Sequence, residues 1–156
     1  MSAARGRANQ SLYLARILLD AWDEALDRQE LPARVVNQAF LPAVKLHLGQ
    51  AYGWFLLAAA QLDRLPERPP ARSAELPPVP EGKAVPGEIR ELSQLESGGW
   101  LADMLADEQP LAAPQPVARD NLVIATAAMP GAAEARDWLA KLGALFERMG
   151  DSLNEY

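Results

Sequence analysis

The chain has 156 residues, of which 49% are apolar and 23% charged. That is enough for a globular core and too apolar for a disordered chain. There is no cysteine and one histidine, His47, which excludes disulfides, thiol nucleophiles, Cys-ligated zinc and His-rich metal sites. The net charge of −6 lies in the second part of the chain: residues 1–64 carry seven Lys/Arg against six Asp/Glu, and residues 65–156 carry eight against fifteen. With Arg5, Arg7 and Arg16 as the only basic cluster, no nucleic-acid binding is expected.

The start, "MSAARGRANQ", has arginines but no apolar stretch behind them. It does not read as a secretory signal, so a cytoplasmic location is expected. A first helix is predicted over 9–28, capped by Asn9 or Ser11, with Leu12, Ala15, Leu19, Trp22 and Leu26 on one side. Its other side carries Arg16–Asp20 and Glu24–Arg28 at i,i+4 spacing, a solvated face. "RQELPAR" then turns the chain, Pro32 suits the first position of a new helix, and so short a connection implies an antiparallel hairpin.

The second helix is predicted over 33–64. Leu41, Leu48, Phe55 and Leu62 recur every seven residues, with Val44, Ala51, Ala58 and Leu65 between them, which makes an a/d seam. Pro42 should kink this helix or divide it. Gly49 and Gly53, four apart on the opposite side, should admit the close approach of a neighbouring helix. A membrane span needs about 20 apolar residues. Here Lys45, His47, Gln50, Gln61 and Asp63 leave only 53–60 uninterrupted, so a buried central helix is expected and no membrane span.

Residues 65–86 hold seven of the thirteen prolines and read as a stiff surface linker with no core of its own. A third helix is predicted over 87–108, with a kink or restart at Ser97-Gly98-Gly99. "NLVIATA", within the segment 109–130, is read as a short helix starting at Asp120, because a lone strand would have no partner. The last helix is predicted over 131–153, with Ala135, Trp138, Leu142, Phe146 and Met149 on one stripe.

Chemistry is sparse. His47 has Ala43, Val44, Gln50 and Ala51 as its helical neighbours. None is acidic, so a structural, hydrogen-bonded histidine is expected in preference to a general base. If a ligand is bound, His47, Gln50 and Trp54 are the candidate residues. "SGGWLAD" lacks the glycine spacing and lysine of a phosphate loop. An all-carboxylate Mg²⁺ site between Asp20, Asp23, Glu24 and Asp103, Asp107 is a lesser alternative to plain surface acids. The four tryptophans, 22, 54, 100 and 138, fall on apolar stripes and read as core. Glu88, Glu91, Asp103 and Asp107, on the acidic side of the third helix, are the candidate interaction surface. No catalytic residue, metal or cofactor is assigned.

"RANQSLYLARILLDAWD", "AFLPAVKLHLGQAYGWFLLA" and "ELSQLESGGWLADML" together resemble an uncharacterised family of short gammaproteobacterial proteins of unknown function. The likeness covers roughly the first 65 residues and the third helix, and leaves out the proline linker. It implies a bacterial cytosolic helical protein and carries no functional residues with it.

The expectation is an all-α fold within a single domain, residues 1–156: an antiparallel bundle of four main helices. A hairpin (8–65) and an acidic helical half (87–156) are joined by the proline-rich connection (66–86). The expected function is a non-enzymatic interaction or scaffold module with an unknown protein partner, or a homodimer through leftover apolar surface of the second or last helix. The alternatives are a small-molecule-binding or carboxylate-metal enzyme using the bundle interior, and an acidic mimic that binds a basic surface of a nucleic-acid enzyme.

Overall fold

The computed structural model describes residues 2–62, 64–107 and 129–154. Among these residues every regular element is helical and there is no strand. The helices are α1 (Ala3–Arg28), α2 (Ala33–Ala59), α3 (Gly87–Gly98), α4 (Trp100–Leu105) and α5 (Ala132–Asn154), with one 3₁₀ turn at Ser73–Glu75. The all-α fold is thus as expected. The short helix expected at Asp120 falls outside the described residues.

Helix α1 begins earlier than its apolar periodicity suggests. Ser2, not Asn9 or Ser11, is the cap: its Oγ accepts the Arg5 amide at 3.1 Å. The intervening alanines and arginines are strong helix formers, so the helix extends to that cap. It ends at Gln29, left-handed at φ 53°, whose amide returns to Leu26. Pro32 then opens α2. This helix runs unbroken through Pro42, whose ring is on the exposed side. It stops at Ala59 and not at Arg64, and Gln61 turns left-handed at φ 55° just beyond.

The pairing of side chains fixes the topology. Trp22 Nε1 donates to Asn37 Oδ1 at 2.9 Å near one end of the α1–α2 hairpin, and the Arg7 guanidinium lies 4.6 Å from the Trp54 ring centre near the other. Helix α5 lies antiparallel to α1. Arg136 binds Asp20 at 3.0 Å and Asp23 at 2.6 Å, while Arg5 reaches the Phe146 ring and Gly150 at the far end. The i,i+4 pair expected between Arg16 and Asp20 is therefore not formed, because Asp20 turns to α5. Helix α3 is antiparallel to α5 in turn, through Glu91–Arg148 at 2.5 Å and Ser152 Oγ donating to Glu88 at 3.1 Å.

One core draws on all five helices. The seam residues Leu41, Val44, Leu48, Ala51 and Phe55 are buried, and Phe55 stacks on Phe146 with ring centres 4.1 Å apart. The expected restart in the third helix is present: α3 stops at Gly98, Gly99 is extended, and α4 begins at Trp100.

Candidate functional site

The glycine side of α2 is covered by something other than a helix. A Cβ built on Gly53 would overlap the Pro70 carbonyl and lie 2.7 Å from Pro69 Cβ. The proline segment therefore crosses α2 at Gly53 as a strap, with backbone against backbone, and only glycine leaves it room. Gly49 meets nothing within 4 Å. Two expectations are corrected here. The close approach is by the strap and not by a neighbouring helix, and the proline segment is packed, with Leu65 and Leu76 seated against the core.

Just past this crossing the strap is fastened by a polar cluster. Tyr52, one residue before Gly53, is fully buried, and its hydroxyl donates to Glu96 of α3. The Ser73 amide donates to the same carboxylate oxygen at 2.8 Å, and Ser73 Oγ donates to the other at 2.9 Å. One carboxylate thus joins α2, α3 and the strap. Burial, followed by the hydrogen bond to Glu96 and its negative charge, holds the Tyr52 phenol far above its ordinary pKa. A phenol kept neutral in this way is a fixed donor, not a nucleophile or base. One residue before Ser73, Arg72 donates to the Leu105 carbonyl at 3.3 Å, and from α2 Lys45 donates to the Ala106 carbonyl at 2.5 Å. These bonds satisfy carbonyls that the end of α4 leaves free.

Beside the strap lies an open groove of about 710 Å³. Leu46 and Gly49 form one wall, Pro69 and Pro70 another, and Met104 and Leu105 the third. Lys45, Gln50, Arg68 and Asp107 stand around it. Leu46 is 58% exposed, and the missing side chain at Gly49 leaves room along the same wall. A smaller cleft of about 510 Å³ opens around Leu57, Leu62 and Leu65 and shares Arg68, Pro69 and Pro70 with it.

The three candidate ligand residues are not brought together. Gln50 lines the larger groove, while His47 and Trp54 line neither cleft. His47 is half-buried, and its enclosed Nδ1 has no hydrogen-bond partner among the described residues, so it lacks the bond expected there. Trp54 is buried beneath Arg7. Among the candidate interaction acids, Glu88 and Glu91 are engaged by α5, whereas Asp103 and Asp107 are exposed. No three carboxylates or imidazoles among the described residues are grouped to hold a metal. Asp20 and Asp23 bind Arg136 and Glu24 binds Arg28, which removes the carboxylate set considered for Mg²⁺. Among the described residues no helix is long and apolar enough to cross a membrane.

Sequence reasoning did not single out Tyr52, Ser73 or Glu96. The usable signal was a tyrosine inside the apolar run, whose hydroxyl needs a partner once buried.

A comparison with known families matches the whole chain, residues 1–156, strap included. The chain belongs to the family of unknown function DUF6586. The match is wider than the resemblance carried by the hairpin and the third helix, because it runs through the proline segment as well. No curated protein and no solved structure matches this member of DUF6586.

Proposed function

We propose that the chain is a non-enzymatic protein-interaction module acting in the cytoplasm, and that the groove beside the strap receives an extended segment of a partner protein. The observation that carries this reading is the groove itself: an open, largely apolar trough of about 710 Å³, with Leu46 offered to solvent at its edge. Its walls are leucine, methionine and proline, and its rim is polar, the pattern of a small interface core. Among the described residues no three carboxylates or imidazoles are grouped to hold a metal. A second copy of the chain is another partner that this reading admits.

The test is a photo-crosslinking amino acid placed at Leu46 in the native host, with Glu67 on the outer side of the strap as control. The expected result is a discrete protein adduct from position 46 and none from 67. Absence of an adduct at 46 overturns the reading. So does a stoichiometric small molecule or metal retained by the purified full-length protein in native mass spectrometry.

A further inference from the structure

The exposed side of α1 has an order of its own. Gly6, Gln10, Tyr13, Ile17, Asp20 and Glu24 are all exposed, and they recur at alternating steps of four and three, the spacing of a helix–helix seam. The large apolar side chains stand in the middle, Tyr13 57% and Ile17 48% exposed. A Cβ at Gly6 would meet nothing within 4 Å. From Gly6 to Glu24 the stripe runs about 27 Å at 1.5 Å per residue.

The charges of α1 are sorted along the same helix. Residues 3–16 carry Arg5, Arg7 and Arg16 and no acid, whereas residues 17–28 carry Asp20, Asp23, Glu24 and Asp27 against Arg28 alone. This order opposes the helix dipole, which favours acids at the N-terminus and bases at the C-terminus. It does not serve the ends of α1. Arg5 and Arg7 do serve the bundle, by covering aromatic rings. Arg16 serves nothing within the described residues, since Asp20 is taken by Arg136 and Arg16 is left without an ion-pair partner beside Ile17.

We infer that α1 is the interface of a twofold homodimer in which two copies of this helix pack antiparallel about Ile17. That arrangement lays the cationic half of each α1 on the acidic half of the other, while a parallel pairing would oppose like charges. With Ile17 at the centre, Arg16 of one copy and Asp20 of the second are offset by about 3 Å along the axis, within an arginine's reach, and the reverse, as twofold symmetry requires. The largely exposed Asp20 carboxylate can accept this arginine beside Arg136 of its own chain. The inference rests on the interaction-module reading only in assigning the chain a binding role. The surface is different from the groove.

Sedimentation velocity of the full-length protein across a hundredfold concentration range tests it. The wild type should shift from monomer to dimer. Ile17→Asp should raise the concentration of half-association by about tenfold or more, with an unchanged melting temperature at concentrations where both proteins are monomeric, because the site is exposed in the monomer. Arg16→Glu and Asp20→Lys should each weaken self-association when alone. An equimolar mixture of those two variants should associate again as a heterodimer, which restores both cross-pairs and cannot arise within one chain. A monomer at every concentration overturns the inference, as does a dimer indifferent to Ile17→Asp, or a mixture that fails to recover. A persisting adduct at Leu46 alongside any of these failures would leave the module reading standing and remove only the α1 interface.

Discussion

The two sides of α2 are held in different ways. The seam side, from Leu41 through Phe55, is pressed between α1 and α5 chiefly by buried apolar area, with an aromatic stack at its last residue, Phe55. The glycine side is covered by a strap of irregular chain secured at a few points: the Gly53 crossing, the Glu96 carboxylate, and Arg72 on the Leu105 carbonyl at the end of α4. Packing spreads its stabilisation over many contacts. A strap concentrates it at a few atoms, so single substitutions should separate the two.

The largest effect belongs to the packed side. Phe55→Ala removes a buried ring and its stack on Phe146, and should cost about 3–5 kcal/mol in urea unfolding. The loss should appear equally in every probe, because the core would fail as a unit. A loss confined to strap probes would break the distinction.

Gly53→Leu acts on the strapped side. The new side chain cannot enter without moving the Pro70 carbonyl and Pro69, and it should destabilise by about 1–3 kcal/mol even though leucine improves helix propensity. Cleavage by trypsin after Arg72 should quicken while the hairpin stays folded. A more stable variant with unchanged cleavage would mean that the strap yields freely.

The smallest effect is at the fastener. Tyr52→Phe deletes one of the three donors to Glu96 and should cost about 1 kcal/mol near neutral pH. Because the folded-state phenol is raised above its unfolded value, its contribution is complete below the unfolded pKa of about 10 and is lost as pH rises above it. The gap between wild type and Tyr52→Phe should therefore narrow in alkaline buffer. A widening gap would contradict the direction of that shift.

This contrast also explains what could be read from the sequence. The seam residues as far as Ala58, the hairpin and the break at Gly98-Gly99 were legible because periodicity and glycine pairs report directly on burial and on helix ends. Leu62 and Leu65, expected on the same seam, lie beyond the end of α2 at Ala59. Leu41, Leu48 and Phe55 are buried as their spacing implies. The strap was not legible. Seven prolines in residues 65–86 describe a backbone that cannot form helix, and say nothing of whether it packs. The contact at Gly53 could be anticipated from the missing side chain, but its occupant could not. The Glu96–Ser73 bond spans 23 residues and leaves no pattern in either segment. The groove likewise depends on the strap's path, so Gln50 was named without Leu46, Met104 or Arg68, which stand around the same opening.

The Phe55–Phe146 stack has a consequence for the order in which the chain acquires its structure. Helices α1 and α2 are adjacent in sequence, and their pairing closes only a short loop, so the hairpin can form while the ribosome is still adding residues. Arg136 meets Asp20 across 116 positions, and Phe146 is added later still. Until α5 emerges, Phe55 stands on a folded hairpin with no ring against it, an aromatic surface open to any chaperone or neighbouring nascent chain. That exposure lasts until α5 docks.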